Sequence, residues 1–165
     1  VSETTERLRE VLVEARPLTP EAYAPYGRLI GPDRERLLQQ EGSFTARLMT
    51  VHRVPPTLTG INRHRDHSQT FVPLSGAPTV LIVAPPDATV EGFDPERIVA
   101  FVNREGYAFT FDPGTWHTEP RALVAETCDL INIQTDVSPQ HTDLLRLEED
   151  CGVRVVLRVP GAGPA

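Results

Sequence analysis

Asn62-Arg63-His64-Arg65-Asp66-His67-Ser68-Gln69-Thr70-Phe71-Val72-Pro73-Leu74-Ser75-Gly76 carries two of the five histidines in the chain, and its reading decides the fold. Side chains alternate along a strand with a period of two, so Asn62 and His64 project to one face and Arg63 to the other. The polar residues 65–68 turn the chain, and the apolar run that follows reads as a second strand that returns Gln69 toward the same interior. Farther on, Asp112-Pro113-Gly114-Thr115-Trp116-His117 sets His117 just past a Pro-Gly turn, from which it approaches the same interior on a neighbouring strand.

Outward from these stretches the chain reads as short strands and tight turns. Candidate strands are Phe44–Val54, Gly60–Asn62, Gln69–Pro73, Thr79–Ala84, Ile98–Asn103, Tyr107–Phe111, Leu123–Glu126, Asp129–Gln134 and Val153–Val159. Turns are marked by Pro55-Pro56, Ser75-Gly76, Pro85-Pro86-Asp87, Glu105-Gly106 and Pro113-Gly114. So many short strands in one domain predict a mostly β sandwich or closed barrel. Leu8, Val11, Leu12 and Ala15 recur at helical spacing, which predicts an amphipathic helix over residues 4–15. Thr19-Pro20-Glu21 is a helix start, with Thr19 as cap and Pro20 in the first turn. Residues 33–42 are polar, with 39–42 reading as a loop or a single turn, and residues 138–150 read as a helix with Leu144, Leu145 and Leu147 facing inward. The predicted organisation is an N-terminal helix over 1–17, one domain over 18–160 and a flexible tail over 161–165.

Composition narrows the chemistry. The 165 residues carry 16 basic and 23 acidic side chains, a net charge of −7, and every basic residue is arginine. Without lysine, a lysine Schiff base, a P-loop phosphate lysine and a Ser/Lys dyad are excluded. An acidic balance speaks against a nucleic-acid partner, which normally shows as a basic stripe. Cys128 and Cys151 have no CxxC spacing and read as small buried hydrophobes. No apolar run reaches the ~18–20 residues of a membrane helix, and the first 16 residues lack a signal peptide's apolar centre, so no membrane partner and a cytoplasmic location are expected.

The two histidine-bearing stretches resemble the paired motifs of the cupin superfamily. Asn62 and His64 stand at the positions of the first motif's two histidines, Gln69 at its glutamate and Gly76 at its glycine. Gly106, five residues, then Asp112 through His117 resemble the second motif, with His117 at the last metal-ligand position. Adding Leu18-Thr19-Pro20-Glu21-Ala22-Tyr23-Ala24-Pro25-Tyr26-Gly27, the pattern over residues 18–136 is similar to the bacterial ureidoglycolate lyase family. The resemblance implies a single-domain cupin, a double-stranded β-helix or jelly-roll-like barrel, with short N-terminal helices. It departs at Thr118, where the family repeats a histidine, at Glu119, which precedes Pro120, and at the polar Asp66 and His67.

The implied reaction splits ureidoglycolate into glyoxylate and urea, which needs a base, an acid for the leaving nitrogen and a cationic anchor for the carboxylate. His64 and His117 are the candidates for proton transfer, and His67 or Glu119 for shuttling the proton if the first two hold a metal. His64, Gln69 and His117, with help from Asn62 or His67, form a candidate site for a divalent ion (Ni, Mn, Fe or Zn), or the reaction proceeds without one. Arg63 is the nearest candidate anchor by sequence, although its strand phase aims it away from the interior. Trp116 fills the barrel mouth or contacts substrate. Two other readings stay open: a metal-dependent cupin isomerase, hydratase or lyase on another small hydroxy or keto acid, and a non-catalytic cupin that binds a small ligand. The exposed apolar strand over 44–54 makes a homodimer the expected assembly.

Overall fold

The computed structural model describes residues 8–32, 43–135 and 141–162. In chain order the elements are β1 (Arg9–Glu14), β2 (Arg16–Pro17), α1 (Pro20–Tyr23), β3 (Gly27–Leu29), β4 (Phe44–His52), β5 (Thr57–Leu58), β6 (Gly60–His64), β7 (Gln69–Pro73) and β8 (Thr79–Ala84). They continue with β9 (Val99–Asn103), β10 (Phe109–Phe111), β11 (Trp116–His117), β12 (Arg121–Ala122), β13 (Thr127–Thr135), β14 (Thr142–Arg146), α2 (Leu147–Cys151) and β15 (Val153–Arg158).

The strands form three layers. The middle sheet runs β14-β6-β11-β8-β9-β2, with β12 also paired to β8. One of its faces packs on the sheet β3-β10-β7-β13-β4, and the other on a small sheet of β1, β15 and β5. This explains why β8 is apolar at nearly every position instead of alternating. Val80, Ile82 and Ala84 join the cluster shared with β1 and β15, while Leu81 and Val83 join the cluster shared with Phe71, Phe109, Phe111 and Leu130. The two larger sheets enclose the interior as the mostly β, jelly-roll-like barrel that the sequence implies.

The glycines of the two stretches brace one end of this barrel. Gly76 and Gly106 both hold a φ of 64°, and a Cβ on Gly106 would lie 2.3 Å from the Gly76 carbonyl oxygen. Only glycine satisfies the turn and the close approach together. Thr19 caps α1 by accepting from the Ala22 amide, with Pro20 in the first turn, as its sequence predicts.

Two helices expected from the sequence are corrected. Residues 9–14 form β1, parallel to β15, and not a helix. Val11, Val13 and Ala15 are buried while Leu12 is 53% exposed, so the period that wins is two, from the β-branched valines. Residues 142–146 are likewise a strand, antiparallel to β6, and among the described residues of this stretch the α-helix covers 147–151. Leu145 and Leu147 are buried, but Leu144 is exposed, because it lies on the opposite strand face from Leu145. Residues 123–126 form bends between β12 and β13 and carry no strand. The polar stretch over 33–42 with its expected loop or turn, the starts of both expected helices (4–7 and 138–140) and the last three residues of the expected tail lie outside the described residues. Cys128 and Cys151 are free thiols and only half-buried. No helix among the described residues is long and apolar enough to cross a membrane.

Candidate active site

A cavity of about 590 Å³ opens between the two larger sheets. The middle sheet contributes Asn62 and His64 from β6, His117 from β11 and Thr142 from β14. The facing sheet contributes Arg47 and Met49 from β4, Gln69 and Phe71 from β7, and Gln134 from β13. Glu119 stands at its edge, just beyond β11. Asn62, His64, Gln69, His117 and Glu119, all singled out in the sequence, therefore converge on one space.

The local register explains why. His117 sits opposite Asn62 in the β11–β6 ladder, and Thr142 opposite His64 in the β14–β6 ladder, so these side chains share one inward face. The His117 ring stacks on Phe111, with centroids 4.4 Å apart, and lies 5.3 Å from the His64 ring. Its Nδ1 is 2.8 Å from the Thr115 carbonyl oxygen, which only accepts, so Nδ1 carries the proton. Nε2 then faces the side-chain amide of Gln69 at 2.9 Å. The other end of the Gln69 amide lies 3.3 Å from the Asn132 amide, a partner that can donate or accept by turning its own amide. His64 Nδ1 lies 3.1 Å from the Thr142 hydroxyl, which pairs with either tautomer of the ring.

Both rings are held neutral. Burial, joined by repulsion from His64, lowers the His117 pKa to about 3. Burial, joined by repulsion from His67, lowers that of His64 to about 4. A neutral imidazole in a cavity is a proton acceptor ready for use, and its conjugate acid becomes favourable once an anion is bound beside it.

Three residues singled out in the sequence do not line this cavity. His67 is buried behind His64, its ring stacked at 4.9 Å and its Nδ1 2.7 Å from Asp66, whose carboxylate also pairs with His141. Arg63 and Trp116, expected as substrate contacts, lie on the opposite face of the middle sheet. The Arg63 Nε donates to Asp143 at 2.8 Å, its Nη1 donates to the Ala88 carbonyl, and its guanidinium covers the Trp116 ring at 4.6 Å. Trp116 is fully buried and donates its Nε1–H to the same Ala88 carbonyl. The strand phase that turns His64 and His117 inward turns their neighbours Arg63 and Trp116 outward into the second core.

The sequence reading missed Arg47, Asn132 and Gln134. Arg47 makes no ion pair with any described residue and supplies the cavity with a cation that Arg63 does not. The signal for all three was their phase. Arg47 stands in the same strand phase as Met49 and the buried Val51, and Asn132 and Gln134 in that of the buried Leu130, so each is a polar residue on an inward-facing register.

Among the described residues, no three His, Cys, Asp or Glu side chains converge on a point where a metal would sit. A divalent ion here would have to take Nε2 of His117 and the amide oxygen of Gln69, which bond each other at 2.9 Å, together with a ring nitrogen of His64.

The profile described as "Ureidoglycolate lyase" matches residues 44–155, which include every cavity residue named above. This chain belongs to the ureidoglycolate lyase family. Among relatives, "Ureidoglycolate lyase" of Pseudomonas fluorescens strain SBW25 is 28% identical, covering 87% of this chain and 95% of its own. "Ureidoglycolate lyase 2" of Rhizobium meliloti is also 28% identical, covering 62% of this chain and 73% of its own. Among solved structures, a dTDP-6-deoxy-D-glucose-3,5-epimerase from Legionella pneumophila is 11% identical with a TM-score of 0.40, covering 89% of this chain and 75% of that one. A 3,4-ketoisomerase from Thermoanaerobacterium thermosaccharolyticum is 19% identical with a TM-score of 0.38, covering 59% of this chain and 64% of that one.

Proposed function

We propose that this member of the ureidoglycolate lyase family cleaves ureidoglycolate into glyoxylate and urea inside the cavity. The observation that carries the reading is that Arg47, His64 and His117 line one space. This joins a cation for a carboxylate to two neutral imidazoles able to accept a proton, in a chain without lysine.

The substrate bears a hydroxyl, a ureido nitrogen and a carboxylate on or next to one carbon. Arg47 pairs with the carboxylate and fixes the molecule at the β4 side of the cavity. His64, with Thr142 supporting Nδ1, accepts the hydroxyl proton at Nε2. The O–H electron pair becomes the second bond of the aldehyde carbonyl, the C–N bond breaks, and its pair stays on the nitrogen. Hydroxyl and nitrogen share one carbon, so the same imidazolium returns its proton to the leaving nitrogen and urea departs, with no net change in protons. His117, fixed in one tautomer by Thr115, holds the Gln69 amide at its Nε2 and so fixes that wall of the cavity beside the reacting hydroxyl. Glu119, ion-paired with Arg121 at the cavity edge, is the second group placed to pass a proton. A divalent ion held by His64, His117 and Gln69 would, when bound, acidify the hydroxyl as a Lewis acid.

The test is direct. Purified protein incubated with ureidoglycolate should release urea and glyoxylate in equal amounts, above the level of His64→Ala and His117→Ala proteins; equal rates in all three remove the reading. Metal analysis before and after chelation, read with the same assay, decides whether an ion takes part. The finer expectations of a homodimer and a cytoplasmic location belong to the same proposal. For the dimer, support comes from Phe44 and Leu48, exposed on β4 at the open edge of its sheet. Sedimentation at micromolar concentration tests it. An isomerase or hydratase acting on another acid, and a non-catalytic binding cupin, gain no support from the family match.

A further inference from the structure

The turn over Asp112–Thr115 ties both imidazoles of the site to the N-terminal block Leu18–Gly27. The Tyr26 carbonyl oxygen accepts twice from this turn, from the Asp112 N–H and from the Thr115 hydroxyl, each at 2.9 Å. Beside it the Tyr23 hydroxyl donates to the Thr110 carbonyl at 3.0 Å, which seats the block on β10 just ahead of the turn. Within the turn the Thr115 N–H donates to the Asp112 carbonyl, and the Gly114 N–H donates to the His64 carbonyl at 2.6 Å. Thr115 is fully buried, and its own carbonyl is the group that accepts from His117 Nδ1. One residue therefore has its hydroxyl fixed on the N-terminal block and its carbonyl fixed on a cavity imidazole.

We propose that Thr115 is a positioning residue: its hydroxyl, held by Tyr26, aims the Thr115 carbonyl at His117 Nδ1 and thereby sets the tautomer of that imidazole. The catalytic consequence rests on the proposed function; the tautomer does not. Which nitrogen of a neutral histidine carries the proton is decided by the hydrogen bonds that the two ring nitrogens make. Nε2 faces the Gln69 amide, which offers either its oxygen or its NH2 group by rotating, and the Asn132 amide behind it can turn with it, so that side expresses no preference. The choice falls to the Thr115 carbonyl, which only accepts. Once that carbonyl swings away, the proton is free to move to Nε2, the Gln69 amide turns over to answer it, and the wall beside the reacting hydroxyl presents an altered pattern of donors and acceptors. Of the described residues that line the cavity, none belongs to the block, so the block acts on the reaction through this turn and not by touching substrate.

The experiment removes the hydroxyl and reads the imidazole directly. Thr115→Val removes the donor at nearly constant volume, Thr115→Ala removes it together with the bulk, and Thr115→Ser keeps it. The Tyr26 carbonyl retains the Asp112 N–H in all three, so this acceptor is never orphaned. In the wild type at neutral pH, nitrogen chemical shifts should place the His117 proton on Nδ1, a measurement that needs no variant to fold. In Thr115→Val and Thr115→Ala a second population with the proton on Nε2 should appear, and kcat for ureidoglycolate should fall about fivefold to tenfold, the worth of one hydrogen bond, with KM little changed. Thr115→Ser should restore the wild-type spectrum and most of kcat. A wild-type proton on Nε2, His117 spectra unchanged in both hydroxyl-free variants, a shifted tautomer with kcat unmoved, or a Thr115→Ser protein as impaired as Thr115→Val overturns the inference and leaves the proposed function standing. Absence of cleavage by the wild type removes the proposed function, and the inference then stands or falls on the spectra alone.

Discussion

His117 on β11 and Gln69 on β7 meet at 2.9 Å, joining the two sheets across the interior at the point where the cavity begins. Neutral His117 donates from Nδ1 to Thr115, so its Nε2 accepts from the Gln69 amide turned to present its NH2 group; protonated, it donates to the Gln69 oxygen instead. A glutamine answers both states by rotating its amide. Replacing it with leucine removes both partners, and Gln69→Leu should lower kcat about tenfold to a hundredfold with a smaller effect on KM. Gln69→Glu places a carboxylate against the ring and should raise the His117 pKa, read by nitrogen chemical shifts of the imidazole over a pH titration. An unmoved titration in Gln69→Glu would mean that the two side chains do not face each other in solution.

Arg47 is the one cationic side chain lining the cavity among the described residues. It sits on an exposed edge strand, so its contact with a carboxylate is partly screened by water. Arg47→Ala should raise the KM for ureidoglycolate about tenfold, and Arg47→Lys should recover part of the loss, because an ammonium keeps the charge but not the two-pronged geometry. Steady-state kinetics at low and high salt check the assignment: the ratio between wild type and Arg47→Ala should shrink as salt rises. A KM indifferent to Arg47→Ala would place the anchor elsewhere.

Much of the fold was legible because strand phase, turn residues and the two glycine-bounded stretches agree with one another. Gln69–Pro73 and Thr79–Ala84 are strands with the bounds read from sequence. Where the sequence misled, two periods competed. Leu8, Val11, Leu12 and Ala15 fit a helix, while Val11, Val13 and Ala15 fit a strand, and only pairing with β15, more than a hundred residues away, settles the choice. Histidines announce themselves by type, so His64 and His117 were found. Arg47, Asn132 and Gln134 were not, because their significance lies in facing inward, a property of register and not of residue type. The same register argument correctly turned Arg63 away from the interior.

Arg63 and Asp143 are both largely shielded from solvent, with side chains 13% and 15% exposed, and the guanidinium also covers Trp116. Removing one partner leaves the other charge largely buried and less well paired, with Arg65 3.7 Å from Asp143, which costs more than a surface pair and less than an isolated, fully buried one, about 2–3 kcal/mol. Arg63→Met and Asp143→Ala should each lower thermal stability by several degrees. Neither should change the KM for ureidoglycolate, since both act on the far side of the sheet from His64. A raised KM in Arg63→Met with an intact melting temperature would return Arg63 to the substrate-binding set.

Acid should destabilise this protein earlier than its carboxylates alone would dictate. In the folded state His64 and His117 have pKa values of about 4 and about 3, and in the unfolded chain each returns to about 6.5. Between those values the unfolded state binds more protons, so stability rises with pH through this window and is fully present above about pH 7. As pH falls below about 6.5 it is lost, at roughly 1 kcal/mol per pH unit for each histidine, until the folded-state values are reached. Guanidinium chloride denaturation is the suitable probe, since urea is a product of the proposed reaction. Between pH 4.5 and 6.5 the wild-type stability should slope steeply, and a His64→Asn, His117→Asn double variant should flatten most of that slope even where its absolute stability is lower. An unchanged slope in the double variant would show that the two imidazoles titrate as they do in water, and with that the case for neutral proton acceptors in the cavity would fall.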